Sequence, residues 1–176
     1  MFICEKRIKE LLSCSREAII QVSCGDAAAL GRKRRITMDV TDKLNMTMLC
    51  DFYELTMGNG YFEAGLQNRI TYFDVFFREI PDHGGYAICA GLDRIIDYIL
   101  DLHFSEEDIA HLRSKGLFSE AFLSYLRNFH FTGDIWAIPE GTPIFPQEPV
   151  ITVRAPAIQA QLVETFLLLI FNHQSL

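Results

Sequence analysis

Met48-Leu-Cys-Asp-Phe-Tyr-Glu-Leu-Thr-Met57, continued by Gly58-Asn-Gly-Tyr-Phe62, decides how this chain is read. The stretch puts a tyrosine, a carboxylate and two glycines on one short helix. The pattern predicts that helix over 48–64, with Gly65 as the residue just past its end. Gly58 and Gly60 each cost about 1 kcal/mol relative to Ala in a helix interior. Close approach of another helix or subunit offsets such a cost; a break near Asn59 avoids it, and both readings stand. On the residues alone, Tyr53 is a half-buried helix tyrosine.

Downstream, Ile70 to Phe77 alternates as a strand. Phe73, Val75 and Phe77 share one face; Ile70, Tyr72, Asp74 and Phe76 share the other. Pro81-Asp-His-Gly-Gly85 is a loop and Tyr86 to Cys89 a short strand. Leu92, Ile95, Ile96, Ile99 and Leu100 form the apolar stripe of an amphipathic helix. Ser105 followed by Glu106, Glu107 and Asp108 reads as an N-cap with acids in the first turn, and that helix stops at Gly116. Ser119 opens another helix through Phe122 and Leu126. Strands are expected at 134–138, 143–145 and 150–153. Pro156 suits the first position of a last helix with Leu162, Phe166, Leu167 and Ile170 inward. Without repeats or a long βαβα alternation, the chain reads as α+β: a sandwich of a small sheet and several helices. Phe166-Leu-Leu-Leu-Ile-Phe171 is almost continuously apolar and reads as a buried element that expects more protein around it.

Upstream the composition changes. Eight Lys/Arg against four Asp/Glu in residues 1–37 leave +4 there and −11 in the rest, of a net −7. Residues 1–43 are read as a disordered or non-native extension, with Met38, Met46 and Met48 as alternative starts; a basic nucleic-acid or targeting arm is the other reading. The acidic total argues against nucleic-acid binding by the chain as a whole. Hydrophobic residues at 49% and charged residues at 22% suit one globular domain. The 14 Phe imply large aromatic packing and room for an apolar docking face. Cys4, Cys14, Cys24, Cys50 and Cys89 have no CxxC spacing, which suits free thiols in a reducing, cytoplasmic setting. No apolar run is long enough to cross a bilayer, so no membrane role is expected.

Few residues speak for chemistry by themselves. Arg78 ends an otherwise apolar strand, so its guanidinium points outward at the sheet edge, where it suits phosphate oxygens or an ion pair with Glu79 or Asp82. Asp74 reads as a structural hydrogen-bond acceptor, the commoner case, with a place at a site mouth as the other reading. Gly84-Gly85 lacks dinucleotide-fingerprint spacing. Glu140-Gly-Thr142 is like a carrier-module hairpin, but no lysine follows Lys115 to be modified. His83, His103, His111, His130 and His173 have no metal-ligand spacing. No nucleophile–base pair is evident.

The opening stretch, followed in order by Phe73-Asp-Val-Phe-Phe-Arg78, Gly84-Gly-Tyr-Ala-Ile88, Phe131-Thr-Gly-Asp134, Pro139-Glu-Gly-Thr142 and Phe145-Pro146, resembles the N-terminal part of nicotinate phosphoribosyltransferase. The resemblance runs from Leu44 to Leu176. It implies an N-terminal α/β sandwich over 44–155 and a helix, 156–176, leading into an incomplete β/α barrel. It implies joining nicotinate to phosphoribosyl pyrophosphate, coupled to ATP with Mg²⁺, in salvage to NAD, by a homodimer. Tyr53 matches the tyrosine that packs on nicotinate across the dimer interface, and Asp51 the aspartate two residues before it. Arg78 matches an arginine that meets phosphates in the partner subunit. The phosphorylated histidine, the arginines gripping the nicotinate carboxylate and the phosphate loop lie beyond Leu176 in the family. The chain is therefore expected to be a fragment, inactive alone, with no catalytic residue of its own. A nicotinamide-using relative and a non-catalytic module pairing with intact subunits are the alternatives.

Overall fold

The computed structural model describes residues 20–23 and 45–176. Of the stretch read as an extension, only Ile20–Ser23 are among them, as strand β1; the rest of that expectation lies outside the described residues. The remaining elements are α1 (Phe52–Glu63), β2 (Ile70–Val75), a 3₁₀ turn (Pro81–His83), β3 (Ala87–Ile88), α2 (Leu92–Asp101), α3 (Glu106–Ser114) and α4 (Glu120–Arg127). Then come β4 (Asp134–Ala137), β5 (Pro143–Ile144), β6 (Ile151–Pro156), α5 (Ala157–Leu162) and α6 (Glu164–Ser175).

The main sheet is antiparallel, in the order β1-β4-β6-β2, and β3 pairs with β5 apart from it. Period-two alternation gives the sheet two unlike faces. Val75, Ile135, Ala137, Ile151, Val153 and Ala155 point into the core. On the other face Arg154 meets two cross-strand neighbours: it donates to the Tyr72 hydroxyl at 3.1 Å and to Asp134 at 3.1 Å. Thr152 donates to Asp74 at 2.6 Å, the structural role expected of that carboxylate. Gly133 lets β4 and β6 come together, since a Cβ there would lie 2.6 Å from both the Ala155 Cβ and the Arg154 carbonyl oxygen.

The helices cover the inner face. α5 packs against the sheet and α1; α4 packs against α1 and α3; α2 packs against α6. Phe122, Leu123 and Leu126 of α4 and Ile109 and Leu112 of α3 are fully buried. The serine caps are as expected. Ser105 forms a capping box with Asp108, and the Ser119 hydroxyl accepts from the Phe122 N–H. Gly65 and Gly116 take left-handed conformations at helix ends.

Three helix boundaries differ from the sequence reading. Pro156, expected as the first residue of the last helix, instead ends β6 and is the N-cap of α5. α1 starts at Phe52 rather than 48, because residues 45–50 form turns: Thr47 N–H donates to the Asn45 side chain and Leu49 N–H to the Met46 carbonyl. The expected single last helix is two, α5 and α6, separated at Val163. Both belong to the same core as the sheet, with Ile158, Leu162, Phe166, Leu167 and Phe171 buried. In α2, Tyr98 takes the inward place expected of Leu100, which is 39% exposed. The Tyr98 ring stacks on Phe166 at 3.7 Å.

Candidate functional site

The first turn of α1 meets the first turn of α6, and the match runs residue by residue. Asp51 is the N-cap of α1, yet its carboxylate makes no capping bond. Its backbone N–H donates to the Thr165 hydroxyl at 3.2 Å. The Tyr53 hydroxyl donates to Glu164 Oε1 at 3.3 Å. Glu54 Oε1 accepts from the Thr165 hydroxyl at 2.7 Å and from the Thr165 N–H at 3.2 Å. The α6 N-terminus has no side-chain cap of its own, so Glu54 supplies an acceptor to one of its unpaired first-turn N–H groups.

Neighbours one residue apart have opposite environments. Glu54 is wholly buried, whereas Tyr53 is 45% exposed. Phe52, Tyr53 and Met57 thus stand on the open side of α1, while Glu54, Leu55 and Gly58 face inward. Partial desolvation and then the Glu164 carboxylate hold the Tyr53 phenol above its usual value, so it stays a neutral donor. Burial pushes the Glu54 carboxyl up to about 7 against the opposing pull of its Thr165 hydrogen bonds. The Cys50 thiol is pushed up to about 12, by burial first and then by Glu54 and Asp51. It is therefore an inert thiol rather than a nucleophile.

Gly58 lies where another helix comes close. A Cβ there would sit 3.3 Å from Phe122 Cζ and 3.5 Å from Ile158 Cγ2, whereas Gly60 has nothing within 4 Å. The helix does not break at Asn59; the Asn59 side chain instead accepts from the Ser119 N–H at 3.2 Å. Close approach thus accounts for Gly58 and leaves Gly60 on the open side.

Arg78 lies elsewhere. It is exposed beyond the end of β2, and its carbonyl accepts from the Gln147 side chain at 2.8 Å. The preceding Phe77 packs on Phe171, toward the C-terminal end of α6, whereas Tyr53 is at the N-terminal end. The structure brings Asp51 and Tyr53 together and does not bring Arg78 to them. Sequence reading missed Glu54, Glu164 and Thr165. The signal of the last two is a polar pair, Glu164-Thr165, set inside the apolar run from Leu162 to Phe171. Among the described residues no group of three or more His, Cys, Asp or Glu side chains is placed to hold a metal ion, and no helix is long and apolar enough to cross a membrane.

This mixed helix-and-strand fold has known counterparts. It is shared with nicotinate-nucleotide pyrophosphorylase from Pyrococcus furiosus, at 17% identity and a TM-score of 0.51 over 78% of this chain and 28% of that one, a likeness of fold alone. Human nicotinic acid phosphoribosyltransferase matches at 32% identity and a TM-score of 0.64, over 69% of this chain and 25% of the human one. Nicotinate phosphoribosyltransferase pncB2 of Mycobacterium tuberculosis is 43% identical over 69% of this chain and 26% of its own length. The Bacillus subtilis nicotinate phosphoribosyltransferase is 36% identical over 75% of this chain and 27% of its own. The family model described as the nicotinate phosphoribosyltransferase (NAPRTase) N-terminal domain matches residues 48–172. The chain belongs to the nicotinate phosphoribosyltransferase family, and the curated relatives it matches are enzymes about four times as long as the stretch they share with it.

Proposed function

We propose that this chain supplies the N-terminal domain of a nicotinate phosphoribosyltransferase, which joins nicotinate to phosphoribosyl pyrophosphate in NAD salvage. Its part is to present Tyr53, beside Asp51, to a pocket built by other protein. The observation that carries this reading is the half-exposed Tyr53 ring, fixed by its hydroxyl to Glu164 while its surface stays open. A flat neutral phenol fixed at one end suits stacking on a pyridine ring, an interaction of about 0.5–1.5 kcal/mol beyond the area it covers. Stacking orients the ring nitrogen toward the sugar carbon, and orientation is what a reaction through an oxocarbenium-like state gains most from. Arg78 is open to solvent and serves phosphate oxygens at a place apart from Tyr53, so the two belong to one site only when a second subunit or domain bridges them. We infer that a second subunit does so, in a homodimer of the longer enzyme, and the free Cys50 and Cys89 support a reducing, cytoplasmic setting. Among the described residues no side-chain cluster is placed to hold Mg²⁺, and ATP and Mg²⁺ are bound mainly by the barrel part of the longer enzyme.

A chimera tests the reading. Residues 48–172 replace the matching segment of the Bacillus subtilis relative. The chimera is expected to form nicotinate mononucleotide, and Tyr53→Ala to raise its KM for nicotinate about tenfold, the loss of roughly one stacking contact. An unchanged KM in Tyr53→Ala removes the assignment. The 176-residue chain alone, given nicotinate, phosphoribosyl pyrophosphate, ATP and Mg²⁺, is expected to yield no product.

A further inference from the structure

We propose that Glu54 is a positioning residue for Tyr53: its buried carboxyl clasps the first turn of α6 and so fixes where the exposed tyrosine ring stands. The inference rests on the reading of Tyr53 given above and concerns a residue to which nothing so far gives a role.

The geometry is specific. Glu54 and Tyr53 are consecutive, so a shift of one moves the other. Glu54 holds both the hydroxyl and the N–H of Thr165, and Tyr53 holds Glu164, the residue before it. Thr165 also accepts from the Asp51 N–H, which closes the contact from the other end of the turn. Two α1 residues and the α1 N-cap are thereby locked to two α6 residues, and Glu54 alone makes two of the four bonds. A purely structural contact at this place is satisfied by an apolar side chain. A carboxyl with zero exposure and a second oxygen, Oε2, without a protein partner is a costly substitute.

Charge makes the clasp responsive. The titratable groups facing Glu54 are Asp51 and Tyr53 on its own turn, Glu164 on α6, Cys50 just before α1 and Tyr98 on α2. None of these carries positive charge. When Glu54 ionises, an unpaired negative oxygen stands buried beside Asp51 and Glu164, and repulsion acts on the very residue that holds the Tyr53 hydroxyl. Ionisation strengthens the two Thr165 hydrogen bonds while repulsion from Glu164 grows, so the place of the Tyr53 ring changes as Glu54 titrates.

The test uses the 176-residue chain with ε-¹³C-labelled tyrosine, Tyr53→Phe identifying the Tyr53 ring signal. In the unaltered chain that signal is expected to move between pH 5 and 8.5 with a midpoint near 7. Glu54→Gln, which keeps an acceptor oxygen without ionising, holds the signal at its low-pH position throughout. Glu54→Ala displaces it at every pH, and Thr165→Val displaces it and raises the midpoint. A Tyr53 signal in Glu54→Gln that titrates like the unaltered chain overturns the proposal. So does a signal left in place by Thr165→Val, a variant that decides the matter even if Glu54→Ala fails to fold. In the chimera, Glu54→Ala raises KM for nicotinate about tenfold with kcat within about twofold, and Glu54→Gln restores it. A Tyr53→Ala effect without a Glu54→Ala effect overturns the positioning role alone. The absence of both effects overturns the substrate reading, while the ring signal still decides the clasp.

Discussion

At Glu54 a carboxyl group is enclosed completely, with one oxygen accepting two hydrogen bonds from Thr165 and the other without a protein partner. Enclosure disfavours the charged form, and two donors only partly counter it. The consequence for stability has a definite sign. The folded carboxyl keeps its proton up to about pH 7, whereas the unfolded one releases it near 4.5. Its contribution is therefore fully present below pH 4.5 and lost as pH rises through 7. Glu106 and Glu120, held low by hydrogen bonds to Arg127 and Arg113, act the other way and lower stability only on acidification. Between pH 5 and 8, Glu54→Gln should gain stability over the unaltered chain by up to about 3 kcal/mol, read by urea melts at each pH. Tyr53 and Asp51 were singled out by the resemblance of their stretch to a known family. Glu54 and Glu164 were not legible, since their meeting joins residues more than a hundred positions apart.

Among elements, α1 offers a paired comparison. Gly60→Ala places a methyl group in open space and should stabilise by about 1 kcal/mol through helix propensity alone. Gly58→Ala gains the same propensity but drives a methyl group to 3.3 Å from Phe122 Cζ. Phe122 is fully buried and hemmed in by Phe62, Phe118 and Tyr125, so it has little room to yield. Overpacking costs about 1–3 kcal/mol, and a net loss in denaturation midpoint is expected. Gly133→Ala should cost at least about 2 kcal/mol, because the methyl group meets β6 backbone rather than a flexible side chain. The elements themselves were largely readable. Alternation from Ile70 to Phe77 placed the buried and exposed faces of β2 correctly, and Ser105, Ser119, Gly65 and Gly116 marked helix ends through local chemistry. The late start of α1 escaped notice because Asn45 and Thr47 build turns that apolar periodicity does not register. The break at Val163 escaped because neither glycine nor proline announces it. Its cause is tertiary: α5 packs on the sheet and α1, whereas α6 packs on α2.

At the scale of the whole molecule, the matched segment is one part of a longer architecture in the curated relatives. The curated relatives extend well past the quarter of their length shared with this chain. A stacking phenol touches the face of a pyridine ring and is indifferent to whether a carboxylate or an amide hangs from its edge. Discrimination between nicotinate and nicotinamide in the chimera should therefore follow the recipient enzyme. Product analysis with each substrate, before and after grafting residues 48–172, checks this; a changed preference places a selecting residue within the graft.

The clasp between the two helix starts also bears on how the protein is made. Thr165 follows Glu54 by 111 positions, and Ser175, whose hydroxyl bonds both the N–H and the carbonyl of Ala90, follows its partner by 85. At bacterial-to-eukaryotic translation speeds the first interval lasts roughly 5–20 s. Through that time the nascent α1 has its acid in water, ionised and unpartnered. Native docking of this helix waits until Thr165 has left the ribosome, so a pause in synthesis before that point prolongs the exposure of its inward side, Leu55 and Gly58, to other chains.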